Sequence, residues 1–168
     1  EIIFGDNAGL IHVLDADGSP LFNDTFPYDT GNQIWGSPAI GDIDNDGILD
    51  IVITSKNKHL YVFDQFGIKL DHYTNQYLVG TPALGNLDED SDLEIVFGGF
   101  SGDAKLFALN LDGSNVEGFP LLLDEKIQKG VALADFNNNG KDDIVIGTDD
   151  DNIYLIYDDA SIGFSFLT

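Results

Sequence analysis

The chain contains no cysteine and no methionine, and its seven basic residues are all lysine. Without cysteine there is no disulfide framework and no thiolate metal site, and redox chemistry says nothing about the compartment. Against those lysines stand 30 acidic residues, for a formal net charge of -23. No nucleic-acid partner is expected, because phosphate binding needs a concentrated basic surface, and an anionic membrane surface would repel the chain. No run of about 18 apolar residues is present, so no direct membrane insertion is expected. The chain opens on Glu1 with neither Met nor a signal peptide, which reads as a processed or excised piece. Helical periodicity of useful length is missing too.

What is present points to one core and to counter-ions. With 43% hydrophobic content, 168 residues can bury one sizeable core but hardly two, so a single domain or part of one is expected. So much carboxylate self-repulsion calls for cations, and divalent ions held in specific loops supply them economically.

The strongest signal is a repeat. Ser37-Pro38-Ala39-Ile40-Gly41-Asp42 recurs as Thr81-Pro82-Ala83-Leu84-Gly85-Asn86 and Gly130-Val131-Ala132-Leu133-Ala134-Asp135. Each hexad leads through a polar loop to a short β-branched run: Asp50-Ile51-Val52-Ile53, Glu94-Ile95-Val96-Phe97 and Asp143-Ile144-Val145-Ile146. A fourth such run, Glu1-Ile2-Ile3-Phe4, begins the chain. Then come a Gly/Asn/Asp/Ser-rich turn and a second apolar strand such as Leu60-Tyr61-Val62-Phe63. A repeat of about 40–50 residues marks blades or solenoid units. These strands are apolar on consecutive residues, so both faces should be buried, as in a four-stranded blade held between its neighbours. The expected fold is all-β: a β-propeller segment of just under four antiparallel four-stranded blades, and part of a larger ring. The blade units are 1–35 (lacking a first strand), 36–79, 80–129 and 130–168. Such a segment would expose apolar blade faces at both ends and could self-associate through them.

The polar loops carry the chemistry. In Asp42-Ile43-Asp44-Asn45-Asp46-Gly47-Ile48-Leu49-Asp50, oxygen side chains fall at positions 1, 3, 5 and 9 and glycine at 6, the opening grammar of an EF-hand calcium loop. Position 7, Ile48, would add its backbone carbonyl. Converging carboxylates repel one another without a cation, and hard Ca2+ takes 6–8 oxygens. The second loop offers Asn86, Asp88, Asp90, Glu94 and the Asp92 carbonyl, with Ser91 at the glycine position, where a left-handed backbone would be costly. The third offers Asp135, Asn137, Asn139, Asp143 and the Lys141 carbonyl; its amides lower the charge and predict weaker binding. Two to three ions are expected. The alternative for each loop is a solvated Asp/Gly turn.

On the Ser-Pro-Ala and Thr-Pro-Ala hexads (37–39, 81–83), the three loops, and the strand ends Phe97-Gly98-Gly99 and Ile146-Gly147, the chain resembles the FG-GAP/VCBS repeat family, calcium-loop propeller blades found in integrin α subunits and many secreted bacterial proteins. Val131 departs from the pattern by replacing proline. The resemblance implies calcium at the loops and a secreted or cell-surface setting, while function carries over poorly within so varied a family.

Calcium loops are turns between strands 1 and 2, so the 2–3 and 4–1 turns at the other end are free for a protein or carbohydrate ligand. That face should carry Asn32, Gln33, Trp35, Lys56, Lys58, His59, Gln76, Tyr77, Phe100, Ser101, Asp103, Asp149, Asp150 and Asp151. Trp35 and Tyr77 would stack on sugar or peptide there, or pack between blades. No catalysis is expected: His12, His59 and His72 fall in unrelated repeat positions, and no phosphate loop, nucleophile elbow or zinc motif occurs. The alternatives are part of a propeller enzyme of the polysaccharide lyase or hydrolase type, and a structural spacer.

Overall fold

The computed structural model describes residues 1–167. Its strands fall where β-branched runs end on Gly, Asn or Asp, and they assemble into four antiparallel meanders. The first sheet has three strands, β1 (Ile2–Gly5), β2 (Leu10–Leu14) and β3 (Tyr28–Asp29). The second has β4 (Ala39–Gly41), β5 (Asp50–Thr54), β6 (His59–Asp64) and β7 (Gly67–Tyr73). The third has β8 (Ala83–Gly85), β9 (Glu94–Gly98), β10 (Lys105–Leu109) and β11 (Leu121–Leu122). The fourth has β12 (Ala132–Ala134), β13 (Asp143–Gly147), β14 (Asn152–Ile156) and β15 (Ile162–Leu167).

Three apolar clusters fill the spaces between successive sheets. Ile11, Val13 and Phe26 of the first meet Ile51, Ile53 and Phe63 of the second. Val52, Leu60 and Val62 of the second meet Ile95, Phe97 and Phe107 of the third. Val96, Leu106 and Ala108 of the third meet Ile144, Ile146 and Ile156 of the fourth. The middle sheets are therefore used on both faces, and β5 and β9 are buried at every residue. The outer sheets are used on one face: β1 alternates in exposure, and every residue of β15 is exposed. Consecutive apolar residues thus bury both faces only where a sheet has two neighbours.

The first strands β4, β8 and β12 sit beside one another on the inner side of the arc. Glycine allows the chain entering each of them to come close. A Cβ on Gly36 would stand 2.5 Å from the Gly80 carbonyl oxygen, and one on Gly80 would stand 2.3 Å from that of Lys129. The meander order puts the β4–β5, β8–β9 and β12–β13 loops on one rim. The β5–β6, β9–β10 and β13–β14 turns, with the links between sheets, form the opposite rim.

Candidate metal loops and the opposite rim

The first and third loops are conformational twins. Asp42 accepts hydrogen bonds from the N–H groups of Asp46 at 3.0 Å and Gly47 at 2.9 Å, and Asp135 does the same for Asn139 at 3.1 Å and Gly140 at 2.9 Å. Both place Asn at position 4 and Gly at position 6 in the left-handed region: Asn45 φ 54, Gly47 φ 86, Asn138 φ 60 and Gly140 φ 90. The second loop takes another path. Neither Glu89 nor Ser91 has a positive φ, and Asn86 donates from its side chain to the Asp90 carbonyl at 2.9 Å. Ser91 therefore carries no left-handed strain, because the turn has been rebuilt around it. In all three loops the position-5 side chain accepts the N–H of position 7: Asp46 from Ile48 at 2.7 Å, Asp90 from Asp92 at 2.9 Å, and Asn139 from Lys141 at 2.8 Å.

The ninth position closes each loop. Asp50, Glu94 and Asp143 are fully buried acids, and each accepts the backbone N–H of position 2, from Ile43, Leu87 and Phe136 respectively. The loops also latch onto one another: the Leu93 N–H donates to the Ile43 carbonyl at 2.8 Å, and the Asp142 N–H to the Asn86 carbonyl at 2.6 Å. Their order is thereby tied to the packing of neighbouring sheets.

The three loops balance charge differently. The oxygens of Asp42, Asp44 and Asp46 lie within 4.8 Å of one another, as do those of Asp88, Asp90 and Glu94. In the first loop the Lys69 ammonium stands 2.9 Å from Asp44 Oδ2 and 3.0 Å from Asp50 Oδ1. Burial works against the charge on Lys69, yet these two carboxylates outweigh it and hold its pKa above the usual lysine value. Lys69 lowers the pKa of Asp44, whereas for Asp50 burial dominates and raises it. The second loop contains no such amine. Burial, reinforced by Asp88 and Asp90, pushes Glu94 up to about 7. In the third loop amides do the work: Asn137 donates to Asp143 at 3.2 Å and Asn139 to Asp158 at 2.9 Å, with Lys141 3.6 Å from Asp158.

Whether the residues suit a hard cation is tested by their unmet needs. Asp44 Oδ1 is buried and receives no hydrogen bond, and Asp50 Oδ1, equally buried, meets only the Lys69 ammonium at 3.0 Å. Buried oxygens without donors are costly, and an all-oxygen set built from alternate residues of a tight turn fits Ca2+.

On the opposite rim, Asn32, Trp35, Lys56, Tyr77, Val79 and Phe100 line an open cleft of about 380 Å³ across the first three sheets. Trp35 is 50% exposed and Tyr77 47%. Each ring carries a lysine: Lys56 Nζ lies 4.1 Å from the Trp35 ring centre, Lys58 5.3 Å from that of Tyr77, and Lys126 5.3 Å from that of Phe100. The rim is pinned by a repeated contact in which Lys56, Phe100 and Asp149 donate their N–H groups to the carbonyls of Gln33, Tyr77 and Lys126. His12 bonds Asp6 and stacks on Phe4, far along the chain from the other two, whereas His59 and His72 sit on the paired strands β6 and β7, where His59 pairs with Asp71 beside Tyr61 and Tyr73. Burial lowers the pKa of His72.

Four-stranded antiparallel meanders packed face to face around an axis define the β-propeller class. The chain is similar to solved structures of this class. BamB from Moraxella catarrhalis matches 98% of this chain and 44% of its own at 14% identity, TM-score 0.62. The Pseudomonas aeruginosa PilY1 C-terminal domain matches 92% and 38% at 19% identity, TM-score 0.65. BBS1N, solved in complex with ARL6DN, matches 99% and 46% at 14% identity, TM-score 0.63. At these identities the likeness is one of fold, and the chain spans less than half the length of each. No family model and no curated protein matches it.

Proposed function

We propose that this chain is a calcium-stabilised propeller module of a secreted or cell-surface protein that binds a protein or carbohydrate ligand on the rim opposite its acidic loops and has no catalysis of its own. The observation that supports it is the division of the rims: buried carboxylates on one, with Asp44 Oδ1 left without a donor, and half-exposed aromatics under lysines on the other. The ion would be held by Asp42, Asp44, Asp46, Asp50 and the Ile48 carbonyl; by Asn86, Asp88, Asp90, Glu94 and the Asp92 carbonyl; and by Asp135, Asn137, Asn139, Asp143 and the Lys141 carbonyl. It would supply positive charge to carboxylate and carbonyl oxygens where the chain has few donors. The strongly shifted carboxyl of Glu94 belongs to a loop and not to the aromatic cleft, which favours binding over acid–base chemistry. The exposed apolar faces of the outer sheets, with Ile2 and Phe4 at one end and Phe164 and Phe166 at the other, would be covered by further blades or by self-association.

Calorimetric titration with CaCl2, paired with melts in calcium and in chelator, tests the metal half. Saturable uptake of two or three ions with a higher Tm is expected. At dissociation constants of about 0.1–1 mM and millimolar calcium, each site adds about 0.4–1.4 kcal/mol. No heat and an unchanged melt would remove calcium from the account. The rim is tested on glycan and peptide arrays, where Trp35→Ala and Tyr77→Ala should each weaken capture about fivefold or more without altering calcium uptake; undiminished capture would move the ligand elsewhere.

A further inference from the structure

Lys69 reaches the first loop by a specific backbone device. Between β6 and β7, Val62 pairs with Leu70 and Phe63 with Ile68, so Lys69 is the extra residue of a β-bulge. Bulges re-aim side chains, and this one directs the ammonium to Asp44 and Asp50. The fourth sheet bulges at the corresponding place, Leu155 pairing with Phe164 and Ile156 with Ile162, but the extra residue there is Gly163. The third sheet has only the short Leu121–Leu122 in that position. Of the three loops, the first is the one whose ligand-position carboxylates are met by a lysine from its own blade.

We propose that Lys69 is an internal counter-ion that competes with calcium for the first loop, holding Asp44 and Asp50 in the metal-free protein and withdrawing from them when the ion binds. The proposal rests on the calcium reading above. An ammonium 2.9 and 3.0 Å from these two oxygens claims the surfaces that Ca2+ would coordinate at about 2.3–2.6 Å, and two cations at such short range repel. The replacement is incomplete: one positive charge faces Asp42, Asp44, Asp46 and Asp50, and Asp44 Oδ1 stays buried without a donor. The second blade is thus braced without metal, but at the expense of affinity for it.

The test compares wild type with Lys69→Met, which keeps an unbranched apolar stem, by calcium calorimetry. Asp42→Asn in each background identifies the heat that belongs to the first loop. Removing the competitor should tighten calcium at that loop about tenfold and leave the other loops unchanged, while the chelated variant melts below chelated wild type. On the wild-type protein, acetylation of Lys69 by an N-hydroxysuccinimide ester, read by mass spectrometry, should rise several-fold on adding calcium as the amine leaves its carboxylates. Equal first-loop affinity in both proteins, or Lys69 acetylation unmoved by saturating calcium, overturns the proposal and leaves the calcium reading intact. Absence of calcium uptake at every loop in both proteins overturns the two together.

Discussion

Phe97→Ala is expected to lower stability by about 3–5 kcal/mol, the usual cost of emptying a buried phenylalanine site. Phe97 is fully buried in β9 and lies parallel to Phe107, ring centres 5.0 Å apart at 6°. It stands where the second sheet packs on the third, among Ile43, Val52, Leu60, Val62 and Leu78. Val52, Leu60 and Val62 are held in the paired strands β5 and β6 and cannot collapse into the space without breaking that pairing, which places the cost near the top of the range. In a chain of this length each kcal/mol is worth about 2–4 °C of Tm, so a fall of about 6–20 °C should appear in a thermal melt. Phe136→Ala is the control: that ring is 57% exposed in the third loop and its loss should change stability by about 0.5 kcal/mol or less. If the two variants melt alike, packing between sheets is not what holds the arc together.

The repeat makes this interface legible in the sequence. Hexads at 37, 81 and 130 set the first strands, and the runs at 50, 94 and 143 set the second strands, because β-branched residues flanked by Gly, Asn and Asp have few other stable arrangements. Consecutive apolar residues at 51–53 and 95–97 indicated two buried faces, which is where the sheets have two neighbours. The loops were legible as oxygen-rich turns. How each balances its charge was not. Lys69 lies 19 residues beyond Asp50 in sequence, and only a one-residue slip in β7 aims it back; no periodicity reports a bulge. The rebuilt turn at Ser91 was hidden for a similar reason: a serine at a glycine position is compatible with either strain or a different backbone path, and the choice is made by the folded turn. On the opposite rim Trp35 and Tyr77 stood out by type, but the lysines over them come from another turn of the meander.

The same strand β9 that carries Phe97 begins at Glu94, and there the charge left uncompensated in the second loop has its largest consequence. Glu94 is 1% exposed and its pKa is pushed from 4.5 to about 7, by burial first and then by Asp88 and Asp90, against the opposing hydrogen bond from the Leu87 N–H. The folded protein therefore holds this proton more tightly than the unfolded chain. The metal-free protein gains the full benefit of that proton below about pH 4.5 and loses it as pH rises through about 7. The amplitude is on the order of 3 kcal/mol. Glu94→Gln removes the titration and keeps an oxygen to accept the Leu87 N–H. In chelator at pH 8 the variant should exceed wild type in urea unfolding by that amount, and at pH 4 the two should agree. If the second loop takes calcium as proposed, adding it should reverse the ranking at pH 8, because the ion would neutralise the wild-type carboxylate and find no charge on glutamine. A variant no more stable than wild type in chelator at pH 8 would mean that the Glu94 charge is already balanced by water or by loop movement, and the second loop would have no need of an ion.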